Sequence, residues 1–126
     1  MNKLTRSEEE IMHMIWDLGH CTVSDLINGM NEPRPPHSTI SSIVRILEKK
    51  GFIDHKAYGR TYEYFPIIEK NDYSRFSIHR FVSNYFEGSM NDMVSFLVKE
   101  NDLNVKELGE IITKLNDESD IKNKTK

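Results

Sequence analysis

A chain of 126 residues, 37% hydrophobic and 29% charged, is sized for one compact domain, or for a small domain with a helical appendage, and is expected to fold rather than stay disordered. No apolar run approaches the roughly 18–20 residues of a membrane helix, and Met1-Asn2-Lys3-Leu4-Thr5 lacks the apolar core of a secretory signal. The net charge of −3 rules out a uniformly basic coat, so a polyanionic partner would have to be met by a local surface.

The first helix is predicted over residues 5–18. Thr5 with Glu8, or Ser7 with Glu10, can form a capping box in which hydroxyl and carboxylate satisfy the free amides of the first turn. Ile11, Met12, Ile15 and Leu18 then share one face, and Gly19 supplies a stop. The turn that follows carries the single cysteine, Cys21. It can make neither an internal disulfide nor, alone, a zinc site. Neither metal nor cofactor is expected, and a reducing cytoplasm is the simplest compartment. Thr22, with Asp25 three residues on, caps a short second helix over residues 23–30 whose buried stripe is Val23, Leu26, Ile27 and Met30. Pro33, Pro35 and Pro36 end it.

The third helix, residues 37–50, has two contrasting sides. At 100° per residue, Ser41, Ser42, Arg45 and Lys49 fall within about 60° of Ser38. Ile40, Ile43, Val44 and Leu47 cluster opposite. Such a helix can dock on its own domain by one side and reach base edges by the other. Short hydroxyls permit close approach, and arginine can chelate guanine or clamp a phosphate. Gly51 closes it. Two strands follow, residues 52–58 and 61–67, rich in aromatic and β-branched side chains, with Gly59-Arg60 as the hairpin turn. A hairpin after three helices is a wing. The candidate DNA-binding residues are Ser38, Thr39, Ser41, Ser42, Arg45, Ile46 and Lys49 on the helix, with Lys56 and Arg60 on the hairpin. Charge follows the same segment. Between Arg34 and Arg60 six cations face only two acids, Glu48 and Asp54, which gives +4 there and leaves −7 on the rest of the chain.

The remainder reads as helical. Residues 71–86 carry Tyr73, Phe76, Phe81, Val82, Tyr85 and Phe86. Gly88-Ser89 breaks the pattern, and Ser89 can cap a helix through about Lys99. Asn104 with Glu107 can cap a last helix bearing Leu108, Ile111, Ile112 and Leu115. The stripe of Tyr73, Phe76, Tyr85 and Phe86 exceeds what a thin helical tail buries against itself, so a homodimer is expected. Its interface would use these four residues with Val94, Leu97, Leu108, Ile111, Ile112 and Leu115. Asn116 to Lys126 offers little apolar material and reads as a flexible tail. The expected fold is mainly α with a small β-hairpin wing. A winged-helix DNA-binding domain would occupy 1–68, a helical dimerisation domain 69–116 and the tail 117–126.

The sequence also resembles the BlaI/MecI penicillinase-repressor family, which includes copper-responsive repressors. The resemblance rests on Leu4-Thr5 with Glu9-Glu10-Ile11-Met12 and Ile15-Trp16. It runs through Thr39-Ile40-Ser41-Ser42-Ile43-Val44-Arg45-Ile46-Leu47-Glu48-Lys49-Lys50-Gly51-Phe52-Ile53. It ends on Gly59-Arg60-Thr61-Tyr62-Glu63-Tyr64-Phe65-Pro66, with weaker similarity on to about residue 115. It implies a winged-helix domain, a helical C-terminal dimerisation segment and binding to a double-stranded dyad operator. It also implies relief of repression when a membrane-bound antibiotic sensor causes the repressor to be cleaved. Two departures stand out. The copper-responsive branch carries a cysteine-rich C-terminal site that this chain lacks. The family's cleaved Asn-Phe bond aligns here with Phe96-Leu97, in a stretch, Met93 to Val98, apolar enough to expect burial.

The histidines, His13, His20, His37, His55 and His79, show no i, i+4 pairing, and no nucleophile motif frames a serine. Trp16, Tyr62 and Tyr64 read as core or wing packing rather than a base-stacking platform. Two other classes fit the same elements: a winged-helix protein-interaction module, and a regulator controlled by a small-molecule ligand.

Overall fold

The computed structural model describes residues 1–100 together with Asn104, Lys106, Glu107, Gly109, Glu110 and Thr113. Three helices come first: α1 (Arg6–Leu18), α2 (Val23–Asn28) and α3 (His37–Lys49). A hairpin of β1 (Ile53–Tyr58) and β2 (Thr61–Pro66) follows, and then α4 (Lys70–Phe86) and α5 (Met90–Lys99). The mainly helical winged-helix arrangement expected from the sequence is the one observed. The chain divides into two compact units, Met1–Ile78 and His79–Lys126.

Local chemistry sets the boundaries. At α1, Thr5 and Glu8 form the capping box, and at α2, Thr22 and Asp25 form another. Each box satisfies two amides that the first turn would leave free. Gly19 ends α1 at a φ of 79°, in the left-handed region where a side chain would be strained. The hairpin closes at two residues, with Tyr58 paired to Thr61, and Gly59 takes a φ of 62° at the first turn position. That is where a two-residue hairpin loop favours glycine. Ser89 caps α5 by accepting from the Asp92 amide. Asn104 accepts from the Glu107 amide at 2.7 Å.

In the first unit, Ile11, Met12, Ile15, Leu26, Val44, Leu47, Phe52 and Ile53 form a core shared by α1, α2, α3 and the root of the hairpin. Leu18, expected on the buried face of α1, is 52% exposed. It lies in the last turn, one residue before Gly19 redirects the chain. Three long-range links close the unit. Cys21 pairs its backbone with Tyr64, donating at 2.9 Å and accepting at 2.7 Å, so the hairpin gains a third, one-residue strand. The Trp16 indole donates to the Ile68 carbonyl at 2.9 Å. The Tyr73 hydroxyl accepts from the Leu4 amide at 3.1 Å.

The second unit is thinner. Glu87 and Gly88, at φ of 51° and 84°, turn the chain between α4 and α5. Within α5 no residue is buried, contrary to the burial expected of Met93 to Val98. A ten-residue helix with Asp92, Ser95 and Lys99 among its apolar positions has little of its own chain to hide against. No helix of the described residues is long and apolar enough to cross a membrane.

Candidate nucleic-acid interface

Helix α3 is anchored by Ile40, Val44 and Leu47, all buried, and by Ile43, partly buried against the same core. Those four positions lock its rotation. Ser38, Thr39, Ser42, Arg45, Ile46 and Lys49 are therefore exposed and Ser41 is half-buried. The Ser42 hydroxyl donates to the Ser38 carbonyl at 2.9 Å. Its lone pairs stay free to accept, while its proton is already committed. Ile46 is 41% exposed in the middle of this polar face.

The wing brings the second set of residues close. A cleft of about 350 Å³ opens between the start of α2, the polar face of α3 and β2. Thr22, Ser24, His37, Ser41, Arg45, Arg60, Thr61 and Tyr62 contribute to its wall. Arg45 and Arg60, separated by 15 positions in sequence, thus border one depression. Hydroxyls and two permanent cations around a concave wall suit an anionic, hydrogen-bonding ligand such as a nucleic-acid backbone. Lys56 is exposed on β1, paired in register with Glu63, and does not line the cleft. Lys49 is exposed in the last turn of α3.

Thr22, Ser24, His37 and Thr61 were not among the predicted site residues. Thr22 was legible only as a cap, and nothing in the spacing of these four announces that β2 comes to border one cleft with the start of α2. Tyr64 forms the buried floor. Its phenol is raised above its ordinary value by burial first and then by Glu48, against the opposing pull of Arg45. Cys21, the backbone partner of Tyr64, is buried, its thiol pushed up to about 11 by burial and by Asp25 and Glu63. Such a thiol is protonated and unreactive at neutral pH.

Of the residues assigned to a partner surface, Tyr73 is buried within the first unit, against Phe52 and Trp16, and Phe76 packs beside it. Tyr85 is 72% exposed; Phe86, Val94 and Leu97 are half-buried. Phe96, expected from the resemblance to lie at the cleaved bond, is 49% exposed. Leu108, Ile111, Ile112 and Leu115 lie outside the described residues.

Comparison with known proteins gives the family and the fold. A family model described as penicillinase repressor matches residues 4–117. The methicillin resistance regulatory protein MecI of Mammaliicoccus sciuri is 27% identical over 115 residues, covering 90% of this chain and 94% of that one. The penicillinase repressor of Bacillus licheniformis is 26% identical over 110 residues, covering 86% of each. Among solved structures, the DNA-binding domain of the repressor BlaI aligns with a TM-score of 0.50 at 28% identity, covering 58% of this chain and 94% of that domain.

Proposed function

The chain belongs to the penicillinase repressor family of transcriptional repressors, and from that premise we propose that it binds a palindromic operator as a homodimer. Each protomer would lay α3 in the major groove and set its hairpin against the flanking backbone. The observation that carries this reading is the meeting of Arg45 and Arg60 at one cleft beside an exposed face of hydroxyls and cations. In this proposal residues 1–68 read DNA and 69–116 join two copies. Ser38, Thr39, Ser41, Ser42, Arg45 and Ile46 face bases, while Lys49, Lys56 and Arg60 face phosphate.

One small winged helix makes few base contacts. Joining two makes the second docking event intramolecular, which can add a factor of roughly 10²–10⁴ in affinity. An off-switch therefore need only separate the copies. By likeness to relatives named for methicillin resistance and penicillinase, the inducing signal is an antibiotic. Cutting in α5, near Phe96 and Leu97, is the route to derepression, with a membrane-bound sensor protease acting directly or through others. Phe-Leu in place of Asn-Phe would make the protease's specificity differ from the family's.

The test uses operator DNA taken from upstream of the gene. Arg45→Ala should cost ~1–3 kcal/mol of specific binding and relax one operator position. Arg60→Ala should weaken all sequences alike and reduce the salt slope by about one. Parental affinity in the Arg45 variant overturns the assignment. An immunoblot of induced cells reads the second half: derepression with full-length protein throughout rejects cleavage and favours a ligand or a partner protein.

A further inference from the structure

The acids of the basic segment gather at one point. Glu48 and Asp54 are the only carboxylates between Arg34 and Arg60, and both converge on His55. Glu48 comes from the last turn of α3, and Asp54 and His55 from the start of β1. One donor atom from each of the three lies within 4.8 Å of the others. Among the described residues, neither carboxylate pairs with a lysine or arginine. Two negative charges thus share one imidazole beside a surface shaped for a polyanion.

The ring is held in place from its other side. His55 stacks on Tyr62, centroids 4.3 Å apart and planes 21° off parallel. Its Nδ1 hydrogen-bonds Glu48 Oε2 at 2.5 Å and stands 4.0 Å from Asp54 Oδ1. Ligand atoms around a tetrahedral zinc lie about 3.4 Å apart at ordinary bond lengths. The two His55 separations bracket that spacing and the Glu48 and Asp54 oxygens lie within 4.8 Å of each other, so side-chain rotations that open the first distance and close the others would bring three donors onto one ion. His55 and Glu48 are each about two-thirds buried at the side chain, while Asp54 is open to solvent.

We propose that Glu48, Asp54 and His55 form a binding site for a borderline divalent cation of the zinc class, bridging the end of α3 to the root of the wing. One imidazole with two carboxylates is a donor set such ions accept; it is poor for copper(I), which selects sulfur. Three protein ligands leave a fourth position for water. The bound ion would cancel the local negative charge and fix the hairpin to the helix. If α3 and the wing read DNA as proposed above, it would raise DNA affinity, a consequence that rests on that reading, whereas the site itself does not.

The experiment titrates zinc alone into full-length, chelator-treated protein by calorimetry. One zinc per chain is expected. His55→Ala and Glu48→Gln should each weaken binding about tenfold or more, the range that even outer-shell partners of a metal site reach. His13→Ala and His20→Ala should leave it unchanged. Trace Co²⁺ added to the unmodified protein should selectively broaden the NMR signals of His55 and Glu48, a readout that needs no variant to fold. No binding at up to 100-fold molar excess of zinc, retention of full affinity by His55→Ala, or broadening centred on His13 or His20 overturns the site. Zinc bound at His55 with no operator binding under any condition would leave the site standing and sink the DNA-reading proposal instead.

Discussion

The two compact units spend their apolar side chains differently. In Met1–Ile78, Phe52, Met12, Ile15, Leu26 and Leu47 are all fully buried within one chain. Among the described residues of His79–Lys126, Val82 alone is buried. Yet the second unit is rich in rings. Phe81 neighbours Tyr85 and Phe86 at 5.0 and 5.8 Å, and Phe86 neighbours Phe96 at 5.7 Å. Phe81, Tyr85 and Phe96 remain about half exposed or more. One region has completed its core. The other has assembled an aromatic face and left it in water, at roughly 25 cal/mol per Å² of forgone burial. An apolar patch of this kind marks an interaction surface. It supports the proposed dimer.

The largest expected effect separates the units by function. Tyr85→Glu or Phe96→Glu places a charge in the proposed contact. Operator affinity should then fall by roughly 10²–10⁴, the factor that linking two modules supplies. The melting of the winged unit should hardly move, since neither residue lies in its core. Light scattering at micromolar concentration should report a monomer for both variants and a dimer for the parent. A parent that is monomeric and still binds its operator tightly breaks the comparison.

The next effect runs the other way. Phe52 is fully buried between α3 and the hairpin, edge-on to Tyr73 at 5.4 Å. Phe52→Ala should cost ~3–5 kcal/mol through lost transfer energy and the cavity left behind. Denaturant unfolding should show that loss in the winged unit. Phe96→Ala, a substitution of an exposed ring, should stay within about 0.5 kcal/mol in the monomer. Similar losses for both would mean that the two units do not differ as their burial suggests.

Signals carried within four residues were legible in the sequence. Thr5 with Glu8, Thr22 with Asp25, and Ser89 cap helices where the spacing placed them, and Gly59-Arg60 turns the hairpin. The 3.6-residue period also gave the polar face of α3, because Ile40, Val44 and Leu47 fix its rotation. What stayed hidden joins distant segments. The Leu4 amide to the Tyr73 hydroxyl spans 69 positions, and Cys21 meets Tyr64 through backbone groups that no side-chain pattern encodes. Periodicity likewise says that Tyr73, Phe76 and Tyr85 are apolar helix positions. It does not say whether their cover comes from the same chain, as for Tyr73, or from elsewhere. Glu48 and His55, seven positions apart across Gly51, show no metal-ligand spacing until the chain folds back.

The smallest effect tests how the first unit is tied together at its polar edge. Glu8 is the one charged residue among the buried side chains described. It accepts from the Thr5 amide at 3.2 Å and from the Lys50 ammonium, which also donates to the Lys3 carbonyl at 3.3 Å. The carboxylate therefore links the start of α1 to the end of α3. Burial alone would raise its pKa, but the hydrogen bonds from Lys50 and Thr5 and the Lys50 charge outweigh that, and the net shift is downward from 4.5. A carboxyl with a depressed folded-state pKa binds its proton less readily folded than unfolded. Its contribution is thus fully present above the unfolded value and is lost as pH falls from about 4.5 through the lower folded value. Glu8→Gln keeps the shape and removes the charge, and should cost roughly 1.5–3 kcal/mol at pH 7, the scale of a hydrogen bond to a charged group. The difference between parent and variant should shrink on acidification and vanish once Glu8 is protonated in both states. Thermal melts of the two proteins between pH 3 and pH 7 would show it. A gap that holds constant across that range would mean the link is steric rather than ionic, and that the Lys50 ammonium contributes nothing to closing α1 onto α3.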